Sequence, residues 1–463
     1  MKTLRVAIFG AGPAGFYLAD HLLRATSPEV SVDLFERLPA PFGLVRYGVA
    51  PDHQKIKNVT KVFERIAEHP RCRFFGNVEY GRDLDLDFLF RHYHQVAFAT
   101  GAQTDRAMGI PGEDLERSHA ATEFVAWYNG HPDYRDRRFD LSVEKVAVVG
   151  VGNVAVDVAR ILCRSAEELA RTDIADHALE ALRSSRVREI YVLGRRGPAQ
   201  GAFSVPELRE LAELATADVL VPPEEAELDP VSRDALRQAP DRDAAAKVEL
   251  VQQLARRTPS GRPKRLTLRF CVSPVALEDD GGGRVGGMRI VRNELYRDEQ
   301  GRIRPRPTDR TERLDVQLVF RSVGYRVVPL PGLPFDESRG VVPSECGRVT
   351  DGSGAPLPGL YVAGWLKRGP TGVIGTNKPD AAETAQAMLE DAREGRARNP
   401  ESPDPAEAER AVRRRQPRVV DFDGWRRIDR RERELGAAVG RPRVKLTTLE
   451  EMLAAAEGAE AAR

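Results

Sequence analysis

Residues 4–9 (Leu-Arg-Val-Ala-Ile-Phe) make a short, almost unbroken apolar run, and residues 16–24 then repeat apolar positions at helical spacing. The first pattern predicts a strand buried on both faces and the second a helix, with residues 10–15 as a tight glycine turn between them. A second apolar run at residues 30–35 follows at the distance of a βαβ unit and ends in Glu36. The same order recurs in mid-chain, where residues 145–149 predict a strand, 150–153 a turn, 154–163 a helix and 190–193 another strand. Strand-to-glycine passages at residues 95–101 and 317–324 read as two crossings between domains. The second unit is then inserted into the first, whose sheet resumes near Tyr325 and continues through residues 359–364. The expected fold class is α/β, with one domain from residues 1–104 and 325–463 and the other from residues 105–324.

Three stretches break the pattern. Residues 221–263, rich in Pro, Asp, Glu and Arg, read as surface helix and loop of the inserted domain. Residues 394–418 read as a linker or external segment, and the tail after Leu446 as a solvent-exposed helix with a fraying, Ala-rich end.

With 41% hydrophobic and 30% charged residues and a formal charge of +1, the chain is globular and offers no whole-molecule argument for nucleic acid. No stretch of about 18 apolar residues is present, and the N-terminus enters a strand pattern without a leader, so a cytoplasmic protein with no transmembrane segment is expected; a monomer is the default expectation for it. Cys72, Cys163, Cys271 and Cys346 lie far apart without a C-x-x-C pair, which fits a reducing compartment and argues against a disulfide framework or iron-sulfur ligation in this chain. No metal site is expected.

Gly10-x-Gly12-x-x-Gly15 has the spacing for pyrophosphate: glycine permits the turn, lets backbone N–H groups approach phosphate oxygens, and lets helix and strand pack closely. Glu36, at the end of the following strand, can accept hydrogen bonds from ribose hydroxyls. In the second unit, Gly150-Val-Gly152-Asn-Val-Ala155 carries the permissible Ala in third place. There the strand at 190–193 leads into Arg195 and Arg196 instead of a carboxylate, and guanidinium groups suit a 2′-phosphate. The acidic site therefore points to FAD and the arginine site to NADP(H), which makes the second domain an NADP domain inserted into an FAD domain, both Rossmann-like. Two such cofactors imply hydride transfer between them, and a flavin can release electrons singly to an iron-sulfur acceptor.

Three further segments carry a family resemblance: Pro41-Phe-Gly-Leu-Val-Arg-Tyr-Gly-Val-Ala-Pro-Asp-His53, the turn ending in Asp157, and Gly364-Trp-Leu-Lys-Arg-Gly-Pro-Thr-Gly-Val-Ile-Gly375. With the two glycine turns, they resemble the adrenodoxin reductase family of NADPH-ferredoxin reductases, and specifically its stand-alone bacterial members. The resemblance implies FAD contacts at Ala14, Glu36, Leu44, Tyr80, Trp365 and the backbone of Gly372, Val373 and Ile374, beside Gly10, Gly12 and Gly15. It implies NADP contacts at Val151, Gly152, Asn153 and Val154, at Arg195, Arg196 and Glu207, and at Gly372, where the nicotinamide should meet the flavin. His53 and Glu207 are candidate polar groups beside flavin and nicotinamide, with Asp157 orienting His53. Hydride transfer needs no general base, so their expected work is to position the nicotinamide and offer a proton route, a role suited to imidazole.

The implied partner is a ferredoxin or similar small iron-sulfur protein. Near residues 240–243, where mammalian members of the family carry a dense basic run that docks an acidic ferredoxin, acids interrupt the pattern, and Arg256, Arg257, Arg262, Lys264 and Arg265 form a nearby alternative. Two rival readings remain: the flavoprotein subunit of a larger reductase, like the small subunit of glutamate synthase, and a non-catalytic NADP-sensing protein that keeps FAD as structural support.

Overall fold

The computed structural model describes residues 3–458. It divides into two compact units, one of Met1–Thr104, Asn129–Pro132 and Tyr325–Arg463, the other of Asp105–Tyr128 and Asp133–Gly324.

The first unit is built on a seven-stranded sheet in the order Ser344–Glu345, Arg348–Thr350, Pro356–Val362, Gln95–Phe98, Leu4–Phe9, Val30–Glu36, Cys72–Gly76. The last five strands in that order are mutually parallel, with Ile8 opposite both Leu34 and Ala97. Alternate residues of Leu4–Phe9 enter different cores. Val6 and Ile8 join Val32 and Leu34 on one face, while Ala7 and Phe9 join Phe35, Phe75 and Phe98 on the other. Both faces are dry, which is why the strand reads as a continuous apolar run. The sheet does not resume at Tyr325, as the sequence suggested. Tyr325–Arg326 instead pairs with Thr104–Asp105 in a two-stranded ribbon, and the sheet is rejoined only at Ser344.

The second unit holds a six-stranded, all-parallel sheet in the order Ser118–Ala120, Leu318–Arg321, Lys145–Val149, Glu189–Gly194, Lys264–Phe270, Ala217–Leu220. A separate antiparallel sheet of Val272–Asp279, Val285–Arg297 and Ile303–Leu314 shares a core with one face of it, through Val149, Leu193, Met288 and Ile290.

Two more expectations are corrected. Within residues 394–418, Pro405–Arg415 is no linker but a helix started by the Asp404 carboxylate, with Ala408 and Val412 fully buried. The tail helix, Leu449–Glu457, is not solvated all round: Met452, Leu453 and Ala456 are buried against the helix Phe422–Ala438. Its expected fraying end, residues 459–463, lies outside the described residues. In residues 221–263, Arg242–Ala255 is a surface helix whose Ala244, Val248, Val251 and Leu254 face inward. No described helix is long and apolar enough to cross a membrane.

Candidate dinucleotide sites

In the first unit the three fingerprint glycines answer different needs. Gly10 lies at φ 104°, and a Cβ there would stand 2.4 Å from Ala99 O; a Cβ on Gly15 would stand 1.9 Å from Gly10 O. Both are demanded by the chain's own packing. Gly12 is different. Its backbone is extended (φ −90°, ψ −172°), and a Cβ would find only Gly43 Cα, at 3.8 Å. Here the missing side chain leaves open space over the first turn of the helix Pro13–Leu23, which no side chain caps. Uncapped amides and the helix dipole together make an anion cradle.

Glu36 ends its strand with the carboxylate already fixed, accepting from Ala11 N–H at 3.0 Å and Leu38 N–H at 3.3 Å. Burial pushes its carboxyl up, and the backbone donors and Arg37 oppose that. Leu44 opens the short helix Leu44–Tyr47, and Ala14 is buried in the first turn beyond the cradle. Tyr80 is wedged against Phe98 and Phe9, ring centroids 4.7 and 5.4 Å away, and its hydroxyl donates to Pro331 O at 2.5 Å. Burial pushes that phenol up to about 12. Trp365 leans on Tyr325 and donates from Nε1 to Thr371 O at 3.1 Å. That bond shapes the exposed Gly372–Val373 turn: Gly372 sits at φ 81°, and Val373, 61% exposed, is an apolar side chain without cover. Ile374, the next residue, starts a 3-10 turn. His53 is buried at the head of the turn Gln54–Lys57, its N–H donating to Ala50 O at 3.0 Å.

The second unit repeats the logic. A Cβ on Gly150 (φ 131°) would lie 2.2 Å from Ser322 O, whereas one on Gly152 would meet nothing within 4 Å. Gly152 also precedes a helix, Asn153–Cys163, that no side chain caps. Val151 and Asn153 hold the turn in place. Val151 O accepts from Phe203 N–H at 2.9 Å, and Asn153 Oδ1 accepts from Ser204 N–H at 2.8 Å. Val154 packs against the core, and Ala155 is fully buried, so the third position has no room to spare. Arg195 is exposed and Arg196 half-buried. Burial and the neighbouring Arg195 and Arg304 pull the Arg196 guanidinium below its ordinary range, the mark of a cationic cluster.

Asp157 and Glu207 are drawn together by a residue that sequence reasoning missed. Arg160, wholly buried, donates to Asp157 Oδ1 at 2.6 Å and to Glu207 Oε2 at 3.1 Å. The signal was present, since Asp157 and Arg160 are three apart on one helix. A cation with no solvent exposure is kept in place by its carboxylates.

These features have counterparts in known proteins. Residues 4–192 match the model of the pyridine nucleotide-disulphide oxidoreductases. The NADPH-ferredoxin reductase FprA of Mycobacterium leprae is 45% identical over 98% of this chain and 98% of its own, and that of Mycobacterium tuberculosis (strain H37Rv) is 46% identical over 98% and 99%. The mitochondrial NADPH:adrenodoxin oxidoreductase of Arabidopsis thaliana is 41% identical over 98% and 96%. The chain belongs to the NADPH-ferredoxin reductase family. The solved structure of Mycobacterium tuberculosis FprA in complex with NADPH superposes with a TM-score of 0.92, at 43% identity, over 99% of this chain and 100% of that one. The fold class and the family resemblance read from the sequence are thereby borne out.

For a member of this family, the alternative basic cluster is less available than its sequence implies. Arg257 donates to Ala212 O at 2.6 Å, Lys264 to Leu162 O at 2.5 Å, and Arg262 to Leu214 O and, at 3.1 Å, to Ala217 O. Three of its five cations are spent on carbonyls of their own unit.

Proposed function

We propose that the chain draws electrons from NADPH and delivers them, through FAD, to a small ferredoxin-type iron-sulfur protein. The observation that carries this reading is the pair of open glycine cradles with opposite chemistry beside them: a carboxylate, Glu36, at one and the arginine pair at the other. Bound FAD supplies the chemistry the chain lacks, accepting two electrons as hydride and releasing them singly.

The fit of both groups rests on the cradles themselves. A Cβ at Gly12 or Gly152 would cost the fold nothing and would occupy the space a pyrophosphate needs. The amides around Gly12 and Ala14 would bind the FAD pyrophosphate, with Glu36 accepting from ribose and Leu44, Tyr80 and Trp365 excluding water. Residues 151–154 would bind the NADP pyrophosphate, and Arg195 and Arg196 the 2′-phosphate. Gly372 would admit the nicotinamide over its bare backbone; a Cβ there would stand 2.6 Å from Thr376 Oγ1, so any side chain would have to displace the turn. We assign His53 the transfer of a proton at its imidazole nitrogens, and Glu207 the orientation of the nicotinamide amide through its carboxylate. Asp157 works through Arg160, which holds both carboxylates. The unit of residues 1–104 and 325–463 is thus read as the FAD domain and residues 105–324 as the NADP domain. Four free, widely spaced cysteines, two of them buried, support a cytoplasmic setting.

The test is anaerobic stopped-flow spectroscopy of the flavin-loaded protein mixed with NADPH or NADH, then with oxidised ferredoxin. Fast bleaching with NADPH, slower bleaching with NADH, and reoxidation by ferredoxin is the expected outcome. Bleaching without reoxidation by any ferredoxin would remove the acceptor from the proposal. No bleaching by either nucleotide would leave the sensor reading in its place.

A further inference from the structure

The arginine pair sits on a loop that leaves the parallel sheet at Gly194, and a residue of the antiparallel sheet reaches that loop's backbone. Asn293, 6% exposed, donates from Nδ2 to Arg195 O at 2.9 Å and to Ser273 Oγ at 2.8 Å. Its own N–H donates to Cys271 O at 2.7 Å, and Cys271 N–H donates to Arg196 O at 3.1 Å. Both carbonyls of the pair are thus tied, one directly and one through Cys271, to a single side chain and its backbone.

The local geometry is built for this. The register between Val285–Arg297 and Ile303–Leu314 breaks between Val291, opposite Thr311, and Asn293, opposite Pro307. Such irregularities re-aim a side chain. Cys271, at φ 54°, is in the left-handed region, where a non-glycine residue is held only by its surroundings. A buried amide that spends both its donors on a loop carbonyl and a hydroxyl also needs a reason to be there, since an apolar residue would fill the space without a polar group to satisfy.

We propose that Asn293 is a positioning residue for NADP selectivity, holding the Arg195–Arg196 backbone so that both guanidinium groups are presented to a 2′-phosphate. This rests on the reading of that pair as the 2′-phosphate site. Two long side chains bind one anion well only if their backbone is already ordered; otherwise binding must order it.

The experiment uses the FAD-loaded protein and measures dissociation constants for NADPH, NADH, 2′,5′-ADP and 5′-AMP in the wild type, Asn293→Leu, Asn293→Ala, the Arg195→Gln/Arg196→Gln pair, and each combination. Losing one neutral hydrogen bond predicts that Asn293→Leu weakens 2′,5′-ADP and NADPH about three- to tenfold, with 5′-AMP and NADH changed less than about twofold. The same substitution in the arginine-free protein should have no effect on 2′,5′-ADP, because there is no anion grip left to position. Asn293→Ala, which leaves room for a water, should give the same pattern more weakly and stands in if the leucine variant does not fold. Equal losses for phosphorylated and unphosphorylated nucleotides would reduce Asn293 to a structural residue and overturn the proposal. So would full retention of selectivity in both Asn293 variants while the arginine variant loses it, an outcome that leaves the 2′-phosphate reading standing. Retention of selectivity by the arginine variant itself would sink that reading and the proposal with it.

Discussion

Gly12 and Gly15 are three residues apart in one motif, yet they should fail in opposite ways. At Gly12 an added methyl is compatible with the backbone and meets nothing closer than 3.8 Å, so Gly12→Ala should fold with an unchanged Tm as apoprotein. The methyl would lie where phosphate oxygens approach. Loss of one or two charge-assisted hydrogen bonds, about 1.5–3 kcal/mol each, would weaken FAD by at least about tenfold, measured by reconstitution against flavin fluorescence. Gly15→Ala places a Cβ at 1.9 Å from Gly10 O and should fail at the folding stage, with or without FAD. Should Gly12→Ala bind FAD as the wild type does, the cradle is not where the pyrophosphate sits. At the arginine pair, neutral replacements of Arg195 and Arg196 should cost NADPH about one to two decades of affinity per lost charge-assisted bond and leave NADH nearly untouched. Equal losses for both nucleotides would remove the NADP assignment. The residue scale is where the sequence was most legible, because a G-x-G-x-x-G flanked by strand and helix leaves few readings. It was blind to the distinction between glycines that the fold needs and glycines that a ligand needs, which requires the neighbouring backbone.

Elements that begin the two βαβ units were readable because burial on both faces writes itself as an unbroken apolar run. The C-terminal helices were not. Pro405–Arg415 buries little beyond Ala408, Ala411 and Val412 in a field of arginines, and so looks like a solvated linker. Nor could sequence pair Arg46 with Glu432, 386 residues away. Yet that pair secures a candidate flavin element. Glu432, wholly buried in the helix Phe422–Ala438, accepts from Arg46 at 2.9 and 2.5 Å, from Arg443 at 3.0 Å and from Leu446 N–H at 2.9 Å. Burial opposes its ionisation, but the two guanidinium groups and the backbone donor win and hold the carboxyl below its ordinary range. Arg46 belongs to Leu44–Tyr47, the segment that presents Leu44. Removing the charge with Glu432→Gln would leave a buried guanidinium uncompensated, at a cost of about 3–5 kcal/mol, and should loosen FAD as well as lower Tm. Thermal denaturation with flavin release followed in the same sample checks both. An unchanged Tm would show that the pair is dispensable to the element it joins.

Taken as a whole molecule, the chain balances 71 lysines and arginines against 70 aspartates and glutamates, and carries 8 histidines. Its response to acid should therefore come in two stages. Carboxylates held below their ordinary range, such as Asp391, whose burial is outweighed by Arg348, Tyr361 and Arg396, give up stability only below that range. The earlier stage belongs to histidines held below their ordinary pKa, and His119 is lowered furthest. Its ring lies edge-on to Phe139, centroids 4.8 Å apart, and burial first, then Arg321 and Arg137, lower its pKa from 6.5 to about 4. A folded-state pKa below the unfolded one means that the unfolded chain binds the proton first as pH falls. The contribution to stability is thus full above about pH 6.5 and is lost progressively between there and about pH 4. Replacing the ring with one that cannot titrate, His119→Phe, should flatten the dependence of unfolding free energy on pH within that window and leave the steeper loss below pH 4 in place. Urea denaturation at intervals from pH 7.5 to pH 4, on the wild type and the variant, separates the two stages, because only the first should change. An identical slope in both proteins would mean that His119 takes up its proton in the folded state as readily as in the unfolded chain, and that early acid sensitivity arises from other groups, His21 and His177 among them.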